Sequence, residues 1–143
     1  MTTHDSDRKT PWHLWTVGIL TLLWNGSGAY SIMMAQAGKL SNLSADEIAY
    51  YAAQPTWVVI LVDVAVTAPL LAGIALLLRS RFATMLFAVG LATVICADIY
   101  NLVAGTSRAL VNTTAMIVTL VILVIAILQF WYSRAMRSRG VLR

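Results

Sequence analysis

The stretch that decides the fold is Thr56–Ala104, TWVVILVDVAVTAPLLAGIALLLRSRFATMLFAVGLATVICADIYNLVA. It contains two apolar runs of equal length, residues 56–78 and 82–104, joined by a short Arg-Ser-Arg turn. A helix needs about 20 apolar residues to cross a hydrocarbon core of about 30 Å, and each run meets that length. The stretch therefore predicts two antiparallel transmembrane helices with a basic turn between them.

Each of these two runs contains a single acidic residue and no other charge. Asp63 lies 17 residues before Ser80, and Asp98 lies 18 residues after it. At about 1.5 Å per residue, both carboxyl groups are expected at one depth, about 26 Å from the turn. If the two helices pack as a hairpin, the carboxyl groups can approach each other. Two close carboxyl groups do not both ionise readily, so we expect a shared proton or a cation between them.

Two further apolar runs, residues 14–34 and 110–132, are also long enough to cross a bilayer. Residues 14–34 could instead belong to a signal peptide cleaved after Ala35-Gln36-Ala37. That run is longer than the apolar region of a signal peptide, and Asn25 interrupts it. The sequence therefore predicts an all-α membrane protein: a four-transmembrane-helix bundle forming a single integral domain over residues 1–143.

The composition agrees with a chain that lies mostly in lipid. Of 143 residues, 59% are hydrophobic and 11% are charged, whereas a soluble domain has about 25% charged residues. Most Lys and Arg flank the apolar runs, so the net charge of +4 indicates membrane topology rather than a nucleic-acid partner. The single cysteine, Cys96, excludes an internal disulfide and a zinc site built on thiolates.

A short amphipathic helix is predicted on the membrane surface between the first two spans, over residues 44–54. Ser44 and Glu47 have the spacing of a capping box, and Leu43 and Ile48 have that of a hydrophobic staple. Pro55 is expected to end this helix.

The distribution of Lys and Arg predicts the orientation. The N-terminal segment, the Arg-Ser-Arg turn and the basic tail at residues 133–143 together contain eight, and the other two loops contain two. By the positive-inside rule, both termini and the tail lie in the cytoplasm, and the surface helix lies outside.

The expected site is a polar pocket in the outer half of the membrane that binds a solute or an ion. Its candidate residues are Asp63, Asp98, Asn101, Asn25, Tyr30 and Arg108. Acidic residues within a membrane are costly and frequently functional. The alternative is purely structural, because polar contacts between membrane helices are common and contribute about 0.6 kcal/mol each.

Catalytic and cofactor-binding patterns are not evident. Both histidines lie near the N-terminus, so they cannot clamp a haem across the bundle. Neither GxGxxG nor a P-loop is present, and Ser, His and Asp do not group as a triad requires. We expect no catalytic residue, no cofactor and no metal site.

The chain contains five short motifs: Pro11–Trp15 (PWHLW), Leu22–Asn25 (LLWN), Gly28–Tyr30 (GAY), Pro55-x-Trp57 and Leu76–Arg81 (LLLRSR). In these motifs it resembles a family of small proteobacterial inner-membrane proteins that have four predicted spans. These proteins are often labelled sugar transporters without demonstrated activity. The resemblance implies a four-span topology and a place in the bacterial inner membrane.

Two functions are consistent with these patterns. The first is a small transporter-like or solute-binding protein that works as a homo-oligomer, because four helices enclose little volume. The second is a non-catalytic accessory subunit of a larger membrane complex, which would dock through the lipid-facing side of the fourth span. In both cases the lipid bilayer is the main partner.

Overall fold

The computed structural model describes residues 11–104 and 113–142, and within them it is helical with no strand. Five helices follow one another along the chain: α1 (Trp12–Gln36), α2 (Ala45–Ala53), α3 (Thr56–Leu77), α4 (Phe82–Val103) and α5 (Thr113–Ser138). The two runs that were expected to form a hairpin are α3 and α4. Their predicted bounds agree with the observed ones to within one residue.

Among the described residues, three helical segments are long and apolar enough to cross a membrane: Thr56–Leu77, Phe82–Val103 and Met116–Ser138. Their mean hydropathies are 2.4, 2.0 and 2.3. Four spans were predicted. The first of them, residues 14–34, corresponds to α1, which is not among the three segments that are long and apolar enough. Helix α1 has the length, at 25 residues, but Asn25, Ser27 and its three glycines dilute its apolar content. The structure thus agrees with a multi-pass membrane protein.

The helices pack in the order α1, α3, α4, α5, with α3 and α4 in the middle. We call the end of the bundle that carries the Arg79–Arg81 turn the Arg end, and the opposite end the α2 end. The buried core lies at the Arg end and consists of Leu14, Ala72, Leu76, Ala83, Phe87, Met136, Val141 and Leu142. The main cluster of buried side chains therefore lies at the Arg end.

The turn between α3 and α4 closes through a Schellman arrangement of hydrogen bonds. Ser80 N–H donates to the Ala75 carbonyl over 2.8 Å, and Arg79 N–H donates to the Leu76 carbonyl over 3.0 Å. Arg79 occupies the left-handed region at φ 58°, where glycine is usual. Its side chain is held because Nε donates to the Val141 carbonyl over 3.2 Å.

The last helix is longer than the sequence suggested. The fourth span was expected to end at residue 132, but α5 continues to Ser138. The extra turns remain helical because Ser133 and Met136 face the core at the Arg end and are buried there. After Gly140, at φ 69°, the chain turns back and buries Val141 against the same core. The beginning of the predicted basic tail is therefore part of the bundle.

Helix α2 begins as predicted, with Ser44 as its N-cap and a complete capping box. Glu47 N–H donates to Ser44 Oγ over 3.3 Å, and Ser44 N–H donates to Glu47 Oε2 over 2.8 Å. The Ser44 backbone and hydroxyl donors hold the pKa of Glu47 below its usual value of 4.5.

Acid is expected to loosen the first turn of α2. A carboxylate with a lowered pKa stabilises the folded form above the unfolded pKa, and that contribution is lost as the pH falls through the folded pKa. The Cα chemical shifts of residues 45–53 should therefore lose helical character as the pH drops below 4.5. Glu47→Gln retains the capping-box geometry without a titrating group, and its shifts should not follow pH. Equal pH profiles in the two proteins would contradict this role.

Candidate functional site

A cavity of about 450 Å³ lies at the α2 end, and all five helices contribute to its wall. The polar and aromatic residues that line it are Trp24, Asn25, Ser27, Ser31, Tyr50, Tyr51, Gln54, Asp98, Asn101 and Thr119. Aliphatic side chains, mostly valines and isoleucines of α3, α4 and α5, complete the wall. A concave, mainly apolar surface with a few polar groups is typical of a small-molecule site.

Small side chains on α1 leave room for this cavity. Ser27, Gly28 and Ser31 lie on its wall, and a Cβ placed on Gly28 would meet no atom within 4 Å. At the Arg end, by contrast, α1 and α5 are joined by a hydrogen bond of 2.7 Å between His13 Nδ1 and the Tyr132 hydroxyl. The two helices are thus tied together at one end and separated by a cavity at the other.

Two of the predicted site residues, Asp98 and Asn101, lie one turn apart on α4 and both face the cavity. The Tyr50 hydroxyl of α2 donates to Asn101 Oδ1 over 2.9 Å. Burial raises the pKa of Tyr50 above its ordinary value, and the nearby Asp98 carboxylate acts in the same direction. The phenol therefore keeps its proton and remains a hydrogen-bond donor.

Asn25 joins this group from α1. Its side-chain amide donates to the Thr21 carbonyl over 2.8 Å, and its side chain lines the cavity. The structure therefore brings three of the six predicted residues, Asn25, Asp98 and Asn101, to the same cavity.

The other predicted residues lie elsewhere. Asp63 is not part of the cavity wall, and its Oδ1 accepts a hydrogen bond of 3.1 Å from Gln36 Nε2 at the end of α1. Tyr30 is 64% exposed and also lies off the wall. Arg108 falls outside the described residues. Of the two acidic residues, Asp98 thus lies on the cavity wall, whereas Asp63 contacts α1.

A second cavity of about 280 Å³ adjoins the first, on the side of α2 that carries Asp46. Tyr50, Gln54 and Asn101 line both cavities. The hydrogen bond between Tyr50 and Asn101 therefore lies in the partition between them.

The contribution of α2 to the cavity was not expected from the sequence, which predicted only an amphipathic helix on the membrane surface. Tyr50 and Tyr51 lie on α2 and Gln54 is its C-cap, four positions after Tyr50, and all three line the cavity. The pattern shows which side chains lie together on α2. Only the tertiary contact with α4 shows that this face covers a cavity.

The described residues contain no group of three or more His, Cys, Asp or Glu side chains that could hold a metal ion. Comparison of the chain with known protein families, with curated proteins and with solved structures finds no match.

Proposed function

We propose that the protein is a four-span membrane protein that binds a small solute in the cavity at its α2 end. The observation that carries the proposal is the cavity itself, where a carboxylate, amides, hydroxyls and aromatic rings from four helices, α1, α2, α4 and α5, surround one volume. Within a membrane such groups are rare, and they mark the paths and binding sites of solutes and ions.

In this proposal α1 also crosses the membrane, so that it and the three apolar helices α3, α4 and α5 make four spans. Its 25 residues extend over about 37 Å, enough to cross a hydrocarbon core. It packs along α3, one of the apolar helices. Trp12 and Trp15 are exposed at the Arg end, where an aromatic belt would lie at the interface.

The charges suggest the orientation. Five of the described basic residues lie at the Arg end, in the turn and in the last part of α5: Arg79, Arg81, Arg134, Arg137 and Arg139. Among the described residues, Lys39 is the one basic side chain at the α2 end. By the positive-inside rule the Arg end faces the cytoplasm, and the cavity is open to the outside of a bacterial inner membrane.

An accessory subunit is the second candidate, and it is favoured by the apolar surface of α5. The side chains of Met116, Ile117, Leu120 and Leu128 are exposed along this helix. In a larger complex this surface would contact a neighbouring membrane protein, and otherwise it contacts lipid. Under that function the cavity would have no solute to bind.

Thiol labelling in intact cells tests whether water and solutes reach the cavity from outside. Ser31→Cys places a thiol on the cavity wall, and Ile99→Cys places one on an exposed site of α4 that is not on the wall. Cys96 is replaced by alanine in both. A membrane-impermeant methanethiosulfonate is expected to label Ser31→Cys and to leave Ile99→Cys unlabelled.

The controls separate orientation from access. Labelling of Ser31→Cys only after the cytoplasmic face has been exposed would reverse the proposed orientation. If neither thiol reacts from either side, the cavity is closed to water and the proposed function is wrong.

A further inference from the structure

The charged groups among the described residues that line the two cavities are acidic. Asp98 is the one carboxyl group on the wall of the larger cavity, and no Lys, Arg or His is present among its described residues. Asp46 lies on the wall of the adjoining cavity, and Glu47 follows it on α2. A cleft lined by one sign of charge attracts counter-ions of the opposite sign. A cation is therefore the solute whose charge complements this end of the bundle.

The shape and lining of the cavity do not suit a bare metal ion. A metal site needs several oxygen, nitrogen or sulfur ligands within about 2.0–2.6 Å of one point. Here a single carboxylate lies in a cavity of about 450 Å³, and much of the remaining wall is aliphatic, with Val62, Val66, Val94 and Ile122 among its residues. A cation with an apolar body fits such a wall.

Aromatic rings supply the second element of recognition. Trp24, Tyr50 and Tyr51 all line the cavity, and the rings of the two tyrosines meet edge to face with centroids 5.3 Å apart. Aromatic faces attract alkylammonium groups through the ring quadrupole, more strongly where water is excluded. A carboxylate together with aromatic walls forms the usual chemistry for binding a substituted ammonium group.

We propose that the larger cavity binds a small organic ammonium ion, with Asp98 as its counter-ion and the rings of Tyr51 and Trp24 against its alkyl groups. This inference rests on the proposed solute-binding function and names the class of solute. Tyr50 lines both the larger cavity and the adjoining one. Asn25 lies on the same wall and provides an amide group for a polar substituent on the ion.

Binding to the purified full-length protein in lipid nanodiscs tests the inference, with two probes of the same shape. Choline carries a quaternary ammonium group, and 3,3-dimethylbutan-1-ol has a neutral carbon in place of the nitrogen. Calorimetric titration is expected to show binding of choline and at least tenfold weaker binding of the neutral alcohol. Benzyltrimethylammonium, which has a larger apolar group, is expected to bind at least as tightly as choline.

Two matched variants show whether Asp98 is the counter-ion. Asp98→Asn keeps the shape of the side chain and removes its charge, and it should weaken choline binding by roughly tenfold or more. Asp63→Asn makes the same change on α3, and choline should bind within about twofold of the wild-type affinity, since Asp63 does not line the cavity and its carboxylate is hydrogen-bonded to Gln36 of α1. Tyr51→Leu should weaken binding by about threefold to tenfold, because a cation–π contact is lost.

The possible failures separate this inference from the proposed function. Equal binding of the alcohol and of choline would overturn the ammonium assignment and leave solute binding intact. The same holds if neither ammonium ion binds while Ser31→Cys is still labelled from outside. Equal losses in Asp63→Asn and Asp98→Asn would overturn the role of Asp98. If Ser31→Cys is closed to the reagent, the proposed function fails as well.

Discussion

Leu76→Ala is expected to lower the free energy of unfolding by about 2 kcal/mol, because it opens a void in the densest part of the bundle. Leu76 is 1% exposed and packs in the core at the Arg end with Leu14 and Phe87. Lipid is as apolar as a leucine side chain, so the loss arises mainly from packing contacts that the smaller residue cannot make. Unfolding of the purified protein by SDS in mixed micelles measures the change.

Leu71→Ala provides the matched control. It makes the same chemical change on the same helix, but Leu71 is 53% exposed and faces away from the core. Its effect is expected to be below about 0.5 kcal/mol, in the range of ordinary surface substitutions. If the two variants were equally destabilised, the core would not lie at the Arg end.

The elements of the fold could be predicted because their signals are local. The apolar runs that became α3 and α4 are separated by a short basic turn, and the capping box of Ser44 and Glu47 fixes the start of α2. Helix α1 was harder to assign, because its length favours a membrane span whereas its polar residues do not. The end of α5 was predicted too early in the chain, because Ser133 and Met136 are buried by contacts with other helices and with the residues after Gly140.

The candidate site could be predicted only in part, and helix geometry explains why. Counting residues gives the depth of Asp63 and of Asp98, but depth does not say which side of the helix faces a neighbour. Helix α3 is apolar on all sides, so its sequence favours no particular face toward α4. In the structure the side of α3 that carries Asp63 meets Gln36 of α1.

The role of α2 depends on a contact across 51 residues of sequence, between Tyr50 and Asn101. No local pattern encodes such a contact. A tyrosine on a surface helix is equally suited to the headgroup region, and its pairing with a particular asparagine follows from how α2 lies over α4. The cavity is therefore a property of the assembled bundle, although Asp98 and Asn101 were identifiable from the sequence.

Gly90→Ala is expected to destabilise the protein by about 1–3 kcal/mol, because it overpacks the contact between α3 and α4. A Cβ on Gly90 would lie 2.5 Å from Cγ and 2.8 Å from Cδ of Pro69. The proline ring is rigid and buried within α3, so the two helices would have to separate. The same SDS titration gives the size of the effect.

Gly28→Ala separates this clash from the intrinsic helix propensity of alanine. Both substitutions gain about 1 kcal/mol of helix propensity, but the new Cβ at Gly28 meets no atom within 4 Å. Gly28→Ala should therefore be neutral or stabilising while Gly90→Ala is destabilising. Destabilisation of both to the same extent would show that alanine acts through something other than the contact with Pro69.

A double-mutant cycle shows whether the proline ring is the obstacle. Pro69→Ala removes Cγ and Cδ, and the nearest remaining atom of residue 69 to the new Cβ is its backbone nitrogen, at 3.5 Å. In that background Gly90→Ala should cost little, so the two substitutions should couple favourably by about 1 kcal/mol or more. Simple additivity would mean that the Pro69 ring is not the obstacle that the new Cβ at position 90 meets.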